Sequence, residues 1–176
     1  ECRLCGFLNT IFQAFFHIRG NYMKHLKYLC YVLRHKWYVF IECCKLGIPV
    51  RGLVHDLSKF RPSEWFPYVN HFHNNNPRDK TGYYRPYDTG DRSFDNALFL
   101  HLKRNKQHWQ WWVLPTDETG VKLLPMPDKY RKEMLADWRG ASKAQGSKTT
   151  VREWYEANKH KLQLHPETRA WIEKHL

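Results

Sequence analysis

The stretch Val54-His55-Asp56-Leu57-Ser58-Lys59-Phe60 sets an imidazole, a carboxylate and an ammonium within five consecutive positions, between apolar residues. A buried charge needs a partner or a metal, and neutral imidazole and carboxylate are common ligands of divalent first-row ions. On one helix, adjacent side chains are splayed by about 100°. His55 and Asp56 therefore cannot complete a coordination sphere alone, and other helices must bring the rest. His35 lies upstream, at the head of an apolar helical pattern that closes at Gly47, a residue suited to a helix C-terminus. Downstream, Met134-Leu135-Ala136-Asp137-Trp138 places one more carboxylate in an apolar helical stretch. The chain thus carries the order His, His-Asp, Asp. The bland alternative is a set of helix-surface ion pairs around a hydrogen-bonded His55, which gives no reason for that order.

The order, together with the phrase His55-Asp56-x-x-Lys59, resembles the HD-domain superfamily of metal-dependent phosphohydrolases, over most of the chain from His35 to Asp137. The longer phrases His35-Lys36-Trp37-Tyr38-Val39 and Asp137-Trp138-Arg139-Gly140 are also similar to a narrower bacterial and phage subgroup, which implies no particular reaction. The resemblance implies His35 as the first metal ligand, His55 and Asp56 as the pair, and Asp137 as the last. His101 or His108 would match the extra histidines of two-metal members. It further implies one or two divalent ions, drawn from Mn, Mg, Co, Ni, Zn and Fe.

Several elements must position these groups. Phe7, Leu8, Ile11, Phe12, Phe15, Phe16 and Ile18 fall at helical spacings and predict an amphipathic helix over 1–21. Gly20-Asn21 is expected to break it before a long helix from Tyr22 to Leu46. On that helix His25 lies nearly opposite His35, so only one of them can face an ion. After the central motif, Pro62 suits a first helical turn and Glu64 favours its N-terminus. Glu64 is also the nearest spare carboxylate for acid/base work, and Arg61 is a candidate for substrate contact. The Asn-, Gly-, Pro- and Tyr-rich stretch 70–92 reads as a long loop, either a lid over a phosphorylated, ring-bearing substrate or a plain surface loop.

Phe94 to Trp112 reads as helix, with His101, Asn105 and His108 on one face. Along a continuous helix the two histidines would be about 10.5 Å apart, too far to ligate one ion. This assigns His101 to the metal, and Asn105 and His108 to substrate, catalysis or a second ion. Val113 to Asp128 reads as an irregular excursion or short hairpin. The Asp137 helix is expected to end near Gly140, followed by Lys148 as a phosphate-binding candidate. Thr150-x-x-Glu153 is a capping box, and Pro166 opens a final helix. The expected fold class is all-α: an HD-domain-like helical bundle over 22–176, with long irregular loops and at most a short hairpin, preceded by the helix 1–21.

At 176 residues the chain is long enough to bury about 70% of its unfolded surface in one core. A balance of 29 Lys+Arg against 17 Asp+Glu gives a net charge of +12, a field that attracts phosphorylated molecules and polyanions alike. The basic residues are spread from Arg3 to Lys174, and no helix-turn-helix or zinc-finger spacing is present. No Gly-rich phosphate loop or Gly-x-Ser-x-Gly motif appears. Five cysteines, with no recognisable secretory signal, lead to the expectation of a reducing cytoplasm; Cys2-x-x-Cys5 alone is too little for a zinc site. No run of 18 apolar residues predicts a spanning segment, and a homo-oligomer is compatible with the sequence. The expected function is a cytoplasmic phosphohydrolase acting on a nucleotide or other small phosphate ester through metal-activated water, with Lys59 neutralising phosphoryl charge. The rivals are an HD-fold di-iron oxygenase and a basic nucleic-acid-binding protein without catalysis.

Overall fold

Helix α1 (Arg3–Lys45) runs unbroken through Gly20-Asn21, where an interruption was expected. An interior glycine costs only about 1 kcal/mol relative to alanine, which a long run of helix-compatible residues on both sides overcomes. The computed structural model describes residues 3–73, 91–118 and 120–176, with side chains from Tyr22 onward except His73. Along α1 the buried side chains are Tyr28, Val32, His35, Val39, Glu42 and Cys43, alternating by four and three residues on one face. His35 faces inward because it sits in that stripe.

Among the described residues the chain is all-α apart from one short hairpin. After α1 come α2 (Pro49–Val54), a 3-10 turn at Leu57–Phe60, α3 (Pro62–His73) and α4 (Arg92–Arg104). A second 3-10 turn (Trp109–Trp112) leads into strands β1 (Val113–Thr116) and β2 (Gly120–Leu123), paired antiparallel with Val113 opposite Leu123. Then follow α5 (Asp128–Gln145), α6 (Val151–Asn158) and α7 (Pro166–His175). The Thr150–Glu153 capping box is formed on α6, and Pro166 opens α7. The lid proposed for 70–92 falls largely on residues 74–90, outside the described residues, as do Cys2 and the side chain of Cys5.

α1 is the axis on which two cores are built. On one side Tyr28 and Val32 pack with Tyr68 and Val69 of α3 and Phe94 and Ala97 of α4. On the other, Val39 and Cys43 meet Ala136 of α5, and α5 carries the larger core of Met134, Leu135, Tyr155, Leu162, Leu164 and Ile172. α5 does not end near Gly140 but continues to Gln145 and closes at Gly146, whose φ of 65° is the left-handed C-terminal conformation. Gly140 has a different task. A Cβ there would lie 2.5 Å from Val39 Cγ2 and 2.8 Å from Val39 N, so its missing side chain is what lets α1 and α5 approach. Among the described residues no helix is long and apolar enough to cross a membrane.

Candidate metal centre

The motif His55-Asp56 is not on a helix. His55 ends α2 in extended conformation, and Asp56 has φ 52° and ψ 27°, the described chain's one non-glycine residue with positive φ. Left-handed backbone is unfavourable for most L-residues, and Asp tolerates it better than most. This turn swings the two adjacent side chains to a common point, which a helix would have prevented. Lys36 Nζ fixes the turn by donating to the carbonyls of Leu53 and His55.

Around that point α1, α5 and the turn bring together His35, His55, Asp56 and Asp137. His35 Nε2 lies 3.3 Å from His55 Nε2, 3.3 Å from Asp137 Oδ1 and 3.7 Å from Asp56 Oδ2. His55 Nε2 is 3.5 Å from both Asp56 Oδ2 and Asp137 Oδ1. Ligands held about 2.0–2.2 Å from a zinc-like ion stand about 3.0–3.6 Å from one another. The observed spacings agree with that range within a tenth of an ångström.

A second group lies on the other oxygen of Asp56. His101 Nε2 is 3.7 Å from Asp56 Oδ1 and 2.9 Å from His108 Nε2. The helical spacing that put the two histidines far apart is overturned. α4 stops at Arg104 because Asn105 turns to extended backbone while its amide caps the His101 carbonyl at 2.8 Å, and the chain folds His108 back against His101. His35, His55 and Asp137 thus form one set of three donor atoms able to hold an ion, and Asp56, His101 and His108 another. Asp56 faces both.

Each central histidine is oriented by a buried glutamate, and each glutamate by an arginine. His55 Nδ1 meets Glu133 Oε1 at 3.2 Å, while Arg51 Nε donates to Glu133 Oε2 at 2.7 Å. His101 Nδ1 meets Glu64 Oε2 at 3.0 Å, while Arg104 Nη1 donates to Glu64 Oε1 at 2.6 Å and Ser58 Oγ to Oε2 at 2.8 Å. Nδ1–H donation to a carboxylate leaves Nε2 as the free donor atom aimed at the centre, the arrangement that orients metal-bound histidines. Glu64 therefore supports His101; its carboxylate is engaged by Ser58, His101 and Arg104.

The charges of the site are strongly coupled. Burial disfavours the ionised form of Asp56, but His55, Lys59 and His101 outweigh it and hold its carboxyl well below the usual range. Asp137 is likewise lowered despite burial, chiefly by His55 and His35. Burial pulls His55 down, yet Asp56 and Asp137 push it up to about 10. His108 is lowered to about 4 by burial and by His101, so it is neutral at neutral pH. Lys59 Nζ pairs with Asp56 Oδ2 at 2.6 Å, which raises the lysine pKa against its burial. Asp56 Oδ2 is thus met by the Lys59 ammonium, whereas the buried His35 Nδ1 has no hydrogen-bond partner.

The remaining candidates stand apart. Asn105 donates to Ser58 Oγ and the His101 carbonyl, a supporting position and not one free to meet substrate. Arg61 is exposed beside the 3-10 turn, and Lys148 is exposed in the connection after α5; neither makes any of the contacts that build the cluster. His25 accepts from Trp65 Nε1 at 2.8 Å, away from His35. Sequence reasoning missed Glu133, Arg51, Arg104 and Gln107, whose Nε2 donates to Asp56 Oδ1 at 2.6 Å. Only Glu133 left a trace, four residues before Asp137 and so on the same face of α5.

Residues 24–176 match a family of unknown function, DUF5662. No curated protein and no solved structure matches the chain.

Proposed function

The chain belongs to the DUF5662 family, and for it we propose a cytoplasmic, metal-dependent phosphohydrolase of HD type acting on a nucleotide or another small phosphate ester. The observation that carries the reading is the convergence of His35, His55 and Asp137 on one side of Asp56 and of His101 and His108 on the other, with a glutamate-oriented histidine on each side. His35, His55, Asp56 and Asp137 would hold one divalent ion, and Asp56, His101 and His108 a second. Such ions supply a water deprotonated near neutral pH and polarise a phosphoryl oxygen.

The chain's own groups do the rest. Lys59 neutralises Asp56 while the centre is metal-free; once the carboxylate is engaged elsewhere, the ammonium is released to meet a phosphoryl oxygen. Glu133 and Glu64 keep both imidazoles presenting Nε2, so little reorganisation accompanies binding. The net charge of +12 draws phosphorylated molecules toward the surface.

The histidine-rich second set also suits iron, which keeps oxygen-dependent oxidation as the rival chemistry. A phosphate-release screen over nucleotides with Mn, Co, Mg or Ni separates the two. Release that disappears in Asp56→Ala and Asp137→Ala, both remaining helical, is the expected result. Full turnover in either variant, or two tightly held irons with a visible absorption band and no phosphate release, would sink the hydrolase reading.

A further inference from the structure

A broad apolar face on the outside of the molecule has no use in the proposed chemistry. On α1, Tyr22, Leu26, Leu33 and Trp37 recur by four, seven and four residues on one stripe, facing away from the buried one, and all are exposed. α2 lies alongside, its Gly52 pressed against Phe40 and Cys43 of α1. It and the following turn add Val50, Leu53, Val54, Leu57 and Phe60, also exposed. Val50, Leu53 and Trp37 retain 69%, 61% and 60% of their surface, too much for side chains at the margin of a core. Exposed apolar side chains gathered on two adjoining elements in this way mark an interaction site.

Its charge names the partner. Between Tyr22 and Phe72 the acidic residues are Glu42, Asp56 and Glu64, all buried. Each is already neutralised, Glu42 by Lys45 and Lys143, Asp56 by Lys59, and Glu64 by Arg104. The outward charges of this part of the chain are therefore all positive. Lys27 and Arg34 directly follow Leu26 and Leu33 and so border the stripe. A second copy docked through the same face would set lysines and arginines against one another with no acid between. A nucleic acid would meet the basic border but leave the aliphatic centre unused. An apolar face rimmed by basic residues, with Tyr22 and Trp37 on it, matches an anionic lipid surface, where aliphatic groups enter the headgroup boundary and Lys and Arg meet the lipid charge.

We propose that the α1–α2 face docks the protein on anionic membranes. The test is co-sedimentation of the full chain with vesicles of phosphatidylcholine alone or mixed with phosphatidylglycerol. Binding to the anionic mixture at least about tenfold tighter than to the neutral one, and weakened by salt, is expected from the roughly 1 kcal/mol that each surface basic residue contributes. The paired substitution Leu33→Glu with Leu53→Glu should reduce binding to the neutral-vesicle level, and Lys27→Glu with Arg34→Glu should weaken it at least about tenfold. All four side chains are exposed, so the circular dichroism spectrum should not change. Failure to bind anionic vesicles, or wild-type binding by the leucine pair, overturns the proposal. So does a lipid-free dimer abolished by the leucine pair, which would assign the face to a second copy, or binding to duplex DNA that needs the basic pair but not the leucines.

Discussion

Glu133 reaches the centre only through His55, and Arg51 holds it in place. Replacing it by glutamine keeps the shape and removes the charge that raises the imidazole's basicity. Metal affinity of Glu133→Gln should fall between about tenfold and a hundredfold, read by competition against a chelating dye, with helicity unchanged; undiminished affinity would make Glu133 a packing residue. The ligand-type residues His35, His55, Asp56 and Asp137 could be read from the sequence because their types and order are unusual in apolar stretches. Their supports could not, since Arg51 and Arg104 look like any surface arginine until Glu133 and Glu64, 82 and 40 positions away, are brought to them. His108 was misplaced for a local reason: nothing in its neighbours announces that Asn105 ends the helix.

At the scale of elements, the site depends on how closely α1 and α5 approach, because His35 comes from one and Asp137 from the other. Gly140 sets that distance. The Gly140→Ala methyl would meet both the side chain and the backbone of Val39, and backbone cannot rotate away. Overpacking of this kind costs about 1–3 kcal/mol, and chemical denaturation of the metal-free variant should show a loss of that size, accompanied by weaker metal binding as the donor atoms separate. Unchanged stability would mean that α5 can shift freely. The glycine itself was visible in the sequence but read as a helix end, since sequence spacing cannot distinguish a glycine that stops a helix from one that admits a neighbour. The hairpin, the capping box and the Pro166 helix start were legible because each rests on residues only a few positions apart.

For the whole molecule, protons and a bound ion would compete for the same atoms. In the metal-free protein His55 holds its proton up to about pH 10, against 6.5 for a free imidazole. The stabilisation from its charged form is therefore complete below about pH 6.5 and lost as pH rises through about 10. Asp56 and Asp137, both lowered, contribute above the ordinary carboxylate range, and that contribution is lost on acidification. Thermal melts of chelator-treated protein should thus fall off at both ends of the pH scale. Because an ion must displace the His55 proton, apparent metal affinity should rise with pH across the neutral range and binding should release protons into a weak buffer. Pairs of calorimetric titrations in buffers of different ionisation enthalpy check this; no proton release would place the ion elsewhere.

The most direct measurement is metal stoichiometry, by elemental analysis after loading and desalting, of the wild type beside Asp137→Asn, His108→Ala and Asp56→Asn. Because Asp56 faces both donor sets while Asp137 and His108 each belong to one, two ions are expected in the wild type, one in each of the first two variants and none in the third. Wild-type protein that retains no divalent ion, or an Asp56→Asn variant that loads as the wild type does, would contradict this.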